Sequence, residues 1–304
     1  MMSRLPSSRP LRAVRGYSMI ELVVAITIGV FLLMGLFTVL QSTRQGASEA
    51  TALAQLEDNE RVAMTILTDM IQNAGYFPDP LAESVTTAFL ADGGFYTYSA
   101  AGTGGQLFYG TVVTAGSSET MMVRFKVAPG DPVFNCNGGS NPSSSGSNVM
   151  YVNDFQLTTN AQGVSQLGCA VGSDSSTAAA ATAMGLVNNV VGMTFAYAMN
   201  TEGTVASTGA TALQGSTGLA NNRCPGDTYK PTASMTMATF DWTNVCAVKV
   251  TLKFNNPLYQ LPGQPHPDVN QPQYLTFERV IAVRSKSGID IITVTPPGGS
   301  SSGS

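Results

Sequence analysis

The sequence predicts an α+β protein in which one long N-terminal helix packs on an antiparallel β-sheet. Three observations lead to this fold class. An apolar run with a single charge covers residues 19–40, apolar side chains then recur at helical spacing as far as Ala74, and alternating polar and apolar segments follow. A helical period that gives way to a period of two indicates a helix first and a sheet after it.

The apolar run predicts a membrane-spanning helix. Residues 19–40 contain one charged side chain, Glu21, and at 1.5 Å per residue they extend about 33 Å, enough to cross the hydrocarbon core. Residues 1–16 contain four arginines and no acidic residue. The positive-inside rule therefore places that end in the cytoplasm and the chain after residue 40 on the other side.

Glu21 is the feature of this segment that a plain membrane anchor does not explain. A charge at the centre of a bilayer costs about 2.5–3.5 kcal/mol on insertion scales, so the residue is expected to have a function and a partner. Three interpretations compete. The segment is a cleaved secretory signal, which should have a shorter apolar core; a plain signal anchor; or the start of a mature chain that is cleaved after Gly16.

The helix is expected to continue beyond the membrane as an amphipathic segment. Gly75 suits the left-handed position that follows a helix, and Pro78 lies just beyond it, so the helix should end near Ala74. One polar residue, Glu60, lies in the apolar stripe of this half. The apolar members of the stripe are Leu53, Leu56, Ala63, Leu67, Met70 and Ala74.

Period-two segments after Tyr76 predict the strands of the sheet. A short helix is expected within residues 178–191. Gly-, Ser- and Asn-rich loops are expected at 137–147 and 200–222, and a proline-rich loop at 257–273. The predicted strands cover residues 106–113, 120–127, 149–157, 192–199, 246–254 and 274–284, with a last one at 289–294.

The residues G-YSMIELVVAITIG, Gly16–Gly29, resemble the class III signal of type IV prepilins. That signal has a short basic leader ending in Gly, an aromatic first mature residue, Glu at the fifth mature position and a continuous apolar helix. The family usually has Phe where this chain has Tyr17. The resemblance implies cleavage by prepilin peptidase between Gly16 and Tyr17 and N-methylation of Tyr17. It also implies an assembly role for Glu21, which would pair with the N-terminal amine of an adjacent subunit.

Four further stretches resemble the minor pilins of the PilW type: residues 70–77, 186–200, 241–254 and 276–285. The resemblance implies the type IV pilin fold. It divides the chain into a leader (1–16), the transmembrane half of the helix (17–40), its amphipathic half (41–75), a periplasmic or extracellular β-rich domain (76–295) and a disordered tail (296–304).

The function that this resemblance implies is structural: priming and assembly of type IV pili, in a minor-pilin complex at or near the filament tip. The implied partners are prepilin peptidase, other minor pilins, the major pilin and the inner membrane, and a tip adhesin is a further one. The implied location is a single-pass inner-membrane precursor, then a cell-surface pilus. A J-type pseudopilin of type II secretion, an adhesive module and a membrane-anchored periplasmic enzyme stay open as alternatives.

The four cysteines, Cys136, Cys169, Cys224 and Cys246, predict two disulfides. They are dispersed along the chain, form no CxxC pair and follow an export segment, which favours disulfides over zinc ligands. All three connectivities stay open. The sequential one, Cys136 with Cys169 and Cys224 with Cys246, is favoured because shorter loops close more readily.

No catalytic, cofactor or metal site is predicted, and the protein is expected not to be an enzyme. His266, the one histidine, stands in a proline-rich loop near Asp268, and no nucleophile is recognisable beside it. Trp242 is expected to anchor the core. The aspartates at 154, 227, 241 and 290 match no calcium-loop signature.

The charge balance argues against nucleic-acid binding. Without residues 1–16 the chain has 11 basic and 19 acidic residues. A surface that follows a phosphate backbone needs clustered lysine and arginine, so no nucleic acid is expected among the partners.

Overall fold

The computed structural model describes residues 16, 18–83, 85–90, 95, 105–116, 118–199, 229–235, 242, 245–259 and 271–286. The fold is α+β, with one long N-terminal helix and a curled mixed sheet. The chain divides into two compact units, Met1–Ala54 and Gln55–Ser304, which are described separately.

Helix α1 runs from Met19 to Asn73 and contributes to both units. In the first unit, its apolar side chains from Met19 to Leu40 are exposed. Among the described residues it is the one helix long and apolar enough to cross a membrane. In the second unit, one stripe of the helix is buried in the core. The stripe consists of Leu56, Ala63, Met64, Leu67, Met70 and Ile71.

The end of α1 lies where the sequence predicts it. Gly75 has a φ of 74°, the left-handed conformation that glycine adopts without strain. A Cβ atom at Gly75 would also lie 2.5 Å from Leu107 Cδ1. The Ser285 hydroxyl donates a hydrogen bond to the Ala74 carbonyl at 2.7 Å, so the short 3-10 helix after β9, Arg284–Lys286, caps the end of α1.

Within the described residues, nine strands form one sheet in the order β5-β4-β3-β2-β6-β8-β9, with β1 paired to β2 and β7 paired to β6. The main core lies between this sheet and the buried stripe of α1. The strands are β1 (Phe108–Thr114), β2 (Ser118–Val127), β3 (Val149–Thr159), β4 (Ser165–Gly172), β5 (Met184–Asn188), β6 (Val190–Met199), β7 (Tyr229–Pro231), β8 (Val245–Asn255) and β9 (Tyr274–Ala282).

The prediction of a purely antiparallel sheet is wrong at one pairing. Strands β2 and β6 are parallel where Ser118 faces Met193, whereas the other pairings are antiparallel. Asn189, with a φ of 66°, is the one residue between β5 and β6. At Asn189 the chain passes from pairing with β4, where Asn188 faces Gln166, to pairing with β8, where Val190 faces Phe254.

Three strands are not predicted by the sequence: β4, β5 and the three-residue β7. Strand β4 contains two glycines, which weaken a strand pattern, yet Gly172 is needed because a Cβ atom there would collide with the backbone of Ala178. The helix predicted within 178–191 is wrong for residues 184–188, which form β5. The helix α3 there is shorter, Ser175–Ala180, and α2 covers Val85–Ala88.

Trp242 lies in the core, as predicted, with 3% of its surface exposed. Its ring centroid is 4.9 Å from that of Tyr197 in a T-shaped arrangement, and 5.8 Å from that of Tyr109. These aromatic contacts join β1 to β6 through Trp242. The strand predicted at 289–294 and the loop predicted at 200–222 lie outside the described residues.

Candidate functional site

Glu21 lies in the first turn of α1, on a helix surface made of exposed apolar side chains. Its amide donates a hydrogen bond to the Ser18 carbonyl at 3.0 Å. An acidic side chain in the first turn interacts favourably with the helix dipole, by about 0.3–1 kcal/mol. That gain is smaller than the cost of a charge inside a bilayer, so the helix dipole alone does not explain the residue.

Gly16 lies three residues before the helix and is exposed. A methyl group added at Gly16 would meet no atom within 4 Å, so steric space in the folded chain does not require a glycine at this position. If glycine is required at this position, the requirement would come from another molecule that binds the segment, such as an enzyme that recognises its sequence. Tyr17, the predicted first mature residue, lies outside the described residues.

Cys136 and Cys169 form a disulfide with their Cα atoms 6.3 Å apart, as in the sequential pairing. The bond joins the loop between β2 and β3, residues 128–148, to strand β4. Cys246 is also disulfide-bonded, and Cys224 lies outside the described residues, so its pairing with Cys246 stays a prediction.

Arg124 is a buried cation on β2, with 1% of its surface exposed. Its guanidinium donates hydrogen bonds to three backbone carbonyls: Gln106 at 2.6 Å, Leu90 at 2.7 Å and Phe89 at 3.2 Å. The guanidinium carbon also lies 4.3 Å from the ring centroid of Phe95 and 5.5 Å from that of Phe89. The side chain thus fastens the segment between α2 and β1 to the sheet.

Glu119 is a buried acid beside the parallel pairing of β2 and β6. Its Oε2 atom accepts hydrogen bonds from the Phe195 amide at 2.7 Å and from the Thr232 hydroxyl at 2.6 Å. The carboxylate therefore replaces a carbonyl partner that a longer parallel ladder would supply to Phe195.

Asp154 on β3 is 5% exposed, and its Oδ1 atom has no hydrogen-bond partner. Its neighbours across the sheet are Met122 on β2 and Ala170 on β4. Burial raises the pKa of Asp154 to about 6, above the ordinary value of about 3.9. The folded protein therefore binds a proton at this site more tightly than the unfolded chain does.

This difference in pKa predicts a pH-dependent stability. Between about pH 4 and pH 6 the folded state holds more protons than the unfolded state, so ionisation of Asp154 lowers the free energy of unfolding by about 2–3 kcal/mol. Asp154→Asn should remove this decrease. Urea unfolding of both proteins at pH 4.5 and pH 7.5 measures it, and Asp58→Asn, at an exposed position on α1, is the control. An Asp154→Asn variant with the pH dependence of the wild type would contradict the prediction.

These buried polar groups do not form a reaction centre. Arg124 and Glu119 are engaged by backbone groups of the fold, and the neighbours of Asp154 across the sheet are apolar. Among the residues that the structure describes, no group of three or more His, Cys, Asp or Glu side chains could hold a metal ion. Of the other residues considered from the sequence, His266, Asp268, Asp227, Asp241 and Asp290 lie outside the described ranges.

The sequence did not single out Arg124 or Glu119, whose partners are distant in the chain. It did single out the N-terminal segment, where Gly16 and Glu21 lie five residues apart. Comparisons of the chain with protein-family models, with curated proteins and with solved structures give no match.

Proposed function

We propose that this chain is a membrane-anchored minor pilin of the type IV class, of the PilW type. The observation that supports the proposal is helix α1. It begins with an acidic side chain on an exposed apolar surface, Met19–Leu40, and continues without a break to the stripe Leu56–Ile71, which packs in the core of the second unit.

A helix with these properties needs an apolar environment outside its own chain. Sixteen large apolar side chains between Met19 and Leu40 are exposed, and burying each contributes about 1.5–3 kcal/mol. A bilayer provides that environment for the precursor. The equivalent helices of neighbouring subunits provide it in a filament.

In both environments the Glu21 carboxylate is penalised unless a cation lies beside it. Cleavage after Gly16 would create an α-amino group at Tyr17, and this group on a neighbouring subunit is a suitable cation. It would also remove the four arginines of residues 1–16, which otherwise keep that end of the helix in the cytoplasm.

In this proposal the protein catalyses no reaction and acts through the contacts that its surfaces make with other proteins. The α+β arrangement of the second unit, with the helix stripe packed on a sheet, is compatible with the type IV pilin fold. Its proposed partners are prepilin peptidase, the major pilin, other minor pilins and a tip adhesin, in a complex at or near the filament tip.

Two substitutions in the N-terminal segment test the proposal. We expect Gly16→Ala to leave the leader uncleaved, and Glu21→Ala to be cleaved normally but to reduce assembled filaments at least tenfold, in line with an unpaired amine in an apolar interface. Intact mass of the membrane-extracted protein measures cleavage, and counts of sheared surface filaments measure assembly. Glu57→Ala, an exposed acid elsewhere on α1, is the matched control.

If the wild-type chain retains residues 1–16, the plain signal-anchor interpretation replaces the proposal. If Glu21→Ala assembles as the wild type does, Glu21 is not an assembly residue. Deleting this protein from cells distinguishes a type IV pilus from a type II secretion pseudopilus. Loss of surface pili with normal protein secretion favours the type IV pilus. Loss of protein secretion with normal surface pili favours the type II secretion pseudopilus.

A further inference from the structure

The loop between β2 and β3, residues 128–148, has the composition of a flexible linker but is attached to the sheet. Thirteen of its 21 residues are Ser, Gly or Asn, a composition that by itself gives a flexible chain. All of its residues belong to the described part of the chain. A loop of this length without secondary structure of its own is uncommon in a compact domain and usually has a function.

The loop is fastened at both ends and in the middle. Asn141 is buried, and its Nδ2 atom donates hydrogen bonds to the carbonyls of Val127 at 3.0 Å and Ser147 at 2.9 Å, which lie at the two ends of the loop. The Cys136–Cys169 disulfide joins the middle of the loop to β4. A loop that is already ordered loses little conformational entropy when it binds a ligand. The loop is therefore suited to recognition in spite of its composition.

Phe134 is the one large apolar side chain that this loop exposes, with 52% of its surface accessible. A closed turn follows it directly, in which the Asn135 Oδ1 atom accepts hydrogen bonds from the amides of Asn137 at 3.0 Å and Gly139 at 2.8 Å. Within the described part of the chain, the Nδ2 group of Asn135 forms no hydrogen bond, and the Asn137 side chain is exposed. An exposed aromatic ring is thus followed along the loop by side-chain amides that can bind a ligand.

The loop has almost no charge. It contains no basic residue, and its one acidic residue is Asp131. The Asp131 Oδ2 atom accepts hydrogen bonds from the Ala128 amide at 2.9 Å and from the Tyr76 hydroxyl at 3.0 Å. A phosphate or a nucleic acid needs lysine and arginine, and a calcium ion needs several carboxylates. The ligand that suits this surface is therefore a neutral one.

A neutral glycan fits this surface better than another protein does. Protein interfaces have an apolar core, are poor in serine and bury about 800 Å² on each side. The loop exposes five serines and only one large apolar side chain. A sugar ring is much smaller than such an interface. Its C–H groups pack on an aromatic face, and its hydroxyls exchange hydrogen bonds with side-chain amides and hydroxyls.

We infer that loop 128–148 binds a neutral glycan, with Phe134 against one face of a sugar ring and the side-chain amides of Asn135 and Asn137 at its hydroxyls. The exposed serines of the loop offer hydroxyl contacts to neighbouring sugar units. This inference concerns the second unit alone, and it does not depend on membrane anchoring or on assembly into a filament.

An array of immobilised neutral, sialylated and sulfated oligosaccharides tests the inference. The full-length chain is applied in phosphocholine micelles, because a detergent with a sugar headgroup would compete, and calorimetry then gives the affinity for the glycans that bind. We expect neutral glycans to bind. Phe134→Ala should weaken binding at least about tenfold, whereas Phe134→Tyr should keep it, because tyrosine presents the same aromatic face. Asn137→Ala should weaken binding to a smaller extent.

Two controls separate a loss of binding from a loss of folding. Leu81→Ala removes an apolar side chain outside the loop that is 95% exposed, and it should leave binding unchanged. Urea unfolding of Phe134→Ala should match that of the wild type, because Phe134 lies at the surface. The inference is overturned if no neutral glycan binds, if Phe134→Ala binds as tightly as the wild type, or if the acidic glycans bind best. It is also overturned if other proteins, and no glycan, bind through Phe134.

Discussion

Replacing Arg124 by methionine should lower the free energy of unfolding by about 3–5 kcal/mol, the range for removing one partner from a buried charged network. Methionine keeps the apolar stem of the side chain, reaching about as far as the Nε atom of arginine, and removes the five donors of the guanidinium. The carbonyls of Gln106, Leu90 and Phe89 would then lose their bonds to the side chain. The Phe89 carbonyl would keep its bond from the Gly105 amide at 2.7 Å, and a buried acceptor left without a partner costs about 1–3 kcal/mol. Arg124→Lys should be intermediate, because a single ammonium cannot reproduce the planar fork.

Urea unfolding of the full-length chain in micelles measures this loss. The fluorescence of Trp242, the one tryptophan of the chain, reports on the core of the second unit. The matched control is Lys126→Met, two residues along the same strand, where the ammonium forms a partly exposed salt bridge with Glu83 at 2.7 Å. That change should cost no more than about 1 kcal/mol. Equal stability of the Arg124→Met and Lys126→Met variants would contradict the role given to Arg124.

Removing the Cys136–Cys169 disulfide should have the next largest effect. The cysteines are 33 residues apart in sequence, and closing a loop of that size restricts the unfolded chain by about 3–4 kcal/mol in the chain-entropy description. In the folded state the Cys136 amide also donates to the Asn153 side chain at 2.8 Å. The double variant Cys136→Ala/Cys169→Ala should therefore be less stable while its loop keeps one attachment to β3.

Two measurements distinguish these effects. Urea unfolding gives the loss of stability, and limited proteolysis followed by mass spectrometry shows whether cleavage increases within residues 128–148. A variant in which Asn153→Ala is added should be cleaved faster there, because the attachment of the loop to β3 is then lost as well. Unchanged stability of the double variant would show that the disulfide does not restrict the unfolded chain in this way.

The elements that could be predicted from the sequence are those with a strong local pattern. The end of α1 follows from Gly75 and Pro78, and β2, β3, β6, β8 and β9 follow from alternating side chains. Strand β4 could not be predicted, because its glycines are required by the close approach of α3 and of Thr158. The parallel pairing of β2 with β6 depends on the curl of the sheet, which no local pattern encodes.

The same distinction applies to the functional residues. Gly16 and Glu21 could be identified because they belong to one short segment with a recognisable order of residue types. Arg124 and Glu119 could not, because folding brings their partners near from distant parts of the chain: backbone groups for both and, for Glu119, also the Thr232 hydroxyl. The Phe195 amide lies 76 residues from Glu119, and the Leu90 carbonyl lies 34 residues from Arg124.

The cap on helix α1 has a consequence for the order in which the chain can mature. The Ala74 carbonyl is bound by Ser285, 211 residues later, and the Gln72 side chain is bound by Arg284 at 2.6 Å. Contacts so distant in sequence cannot form until the chain has been synthesised at least as far as residue 285. Until then the helix end and its buried stripe lack their final partners, so this stage should be the one most open to proteases and most in need of a chaperone.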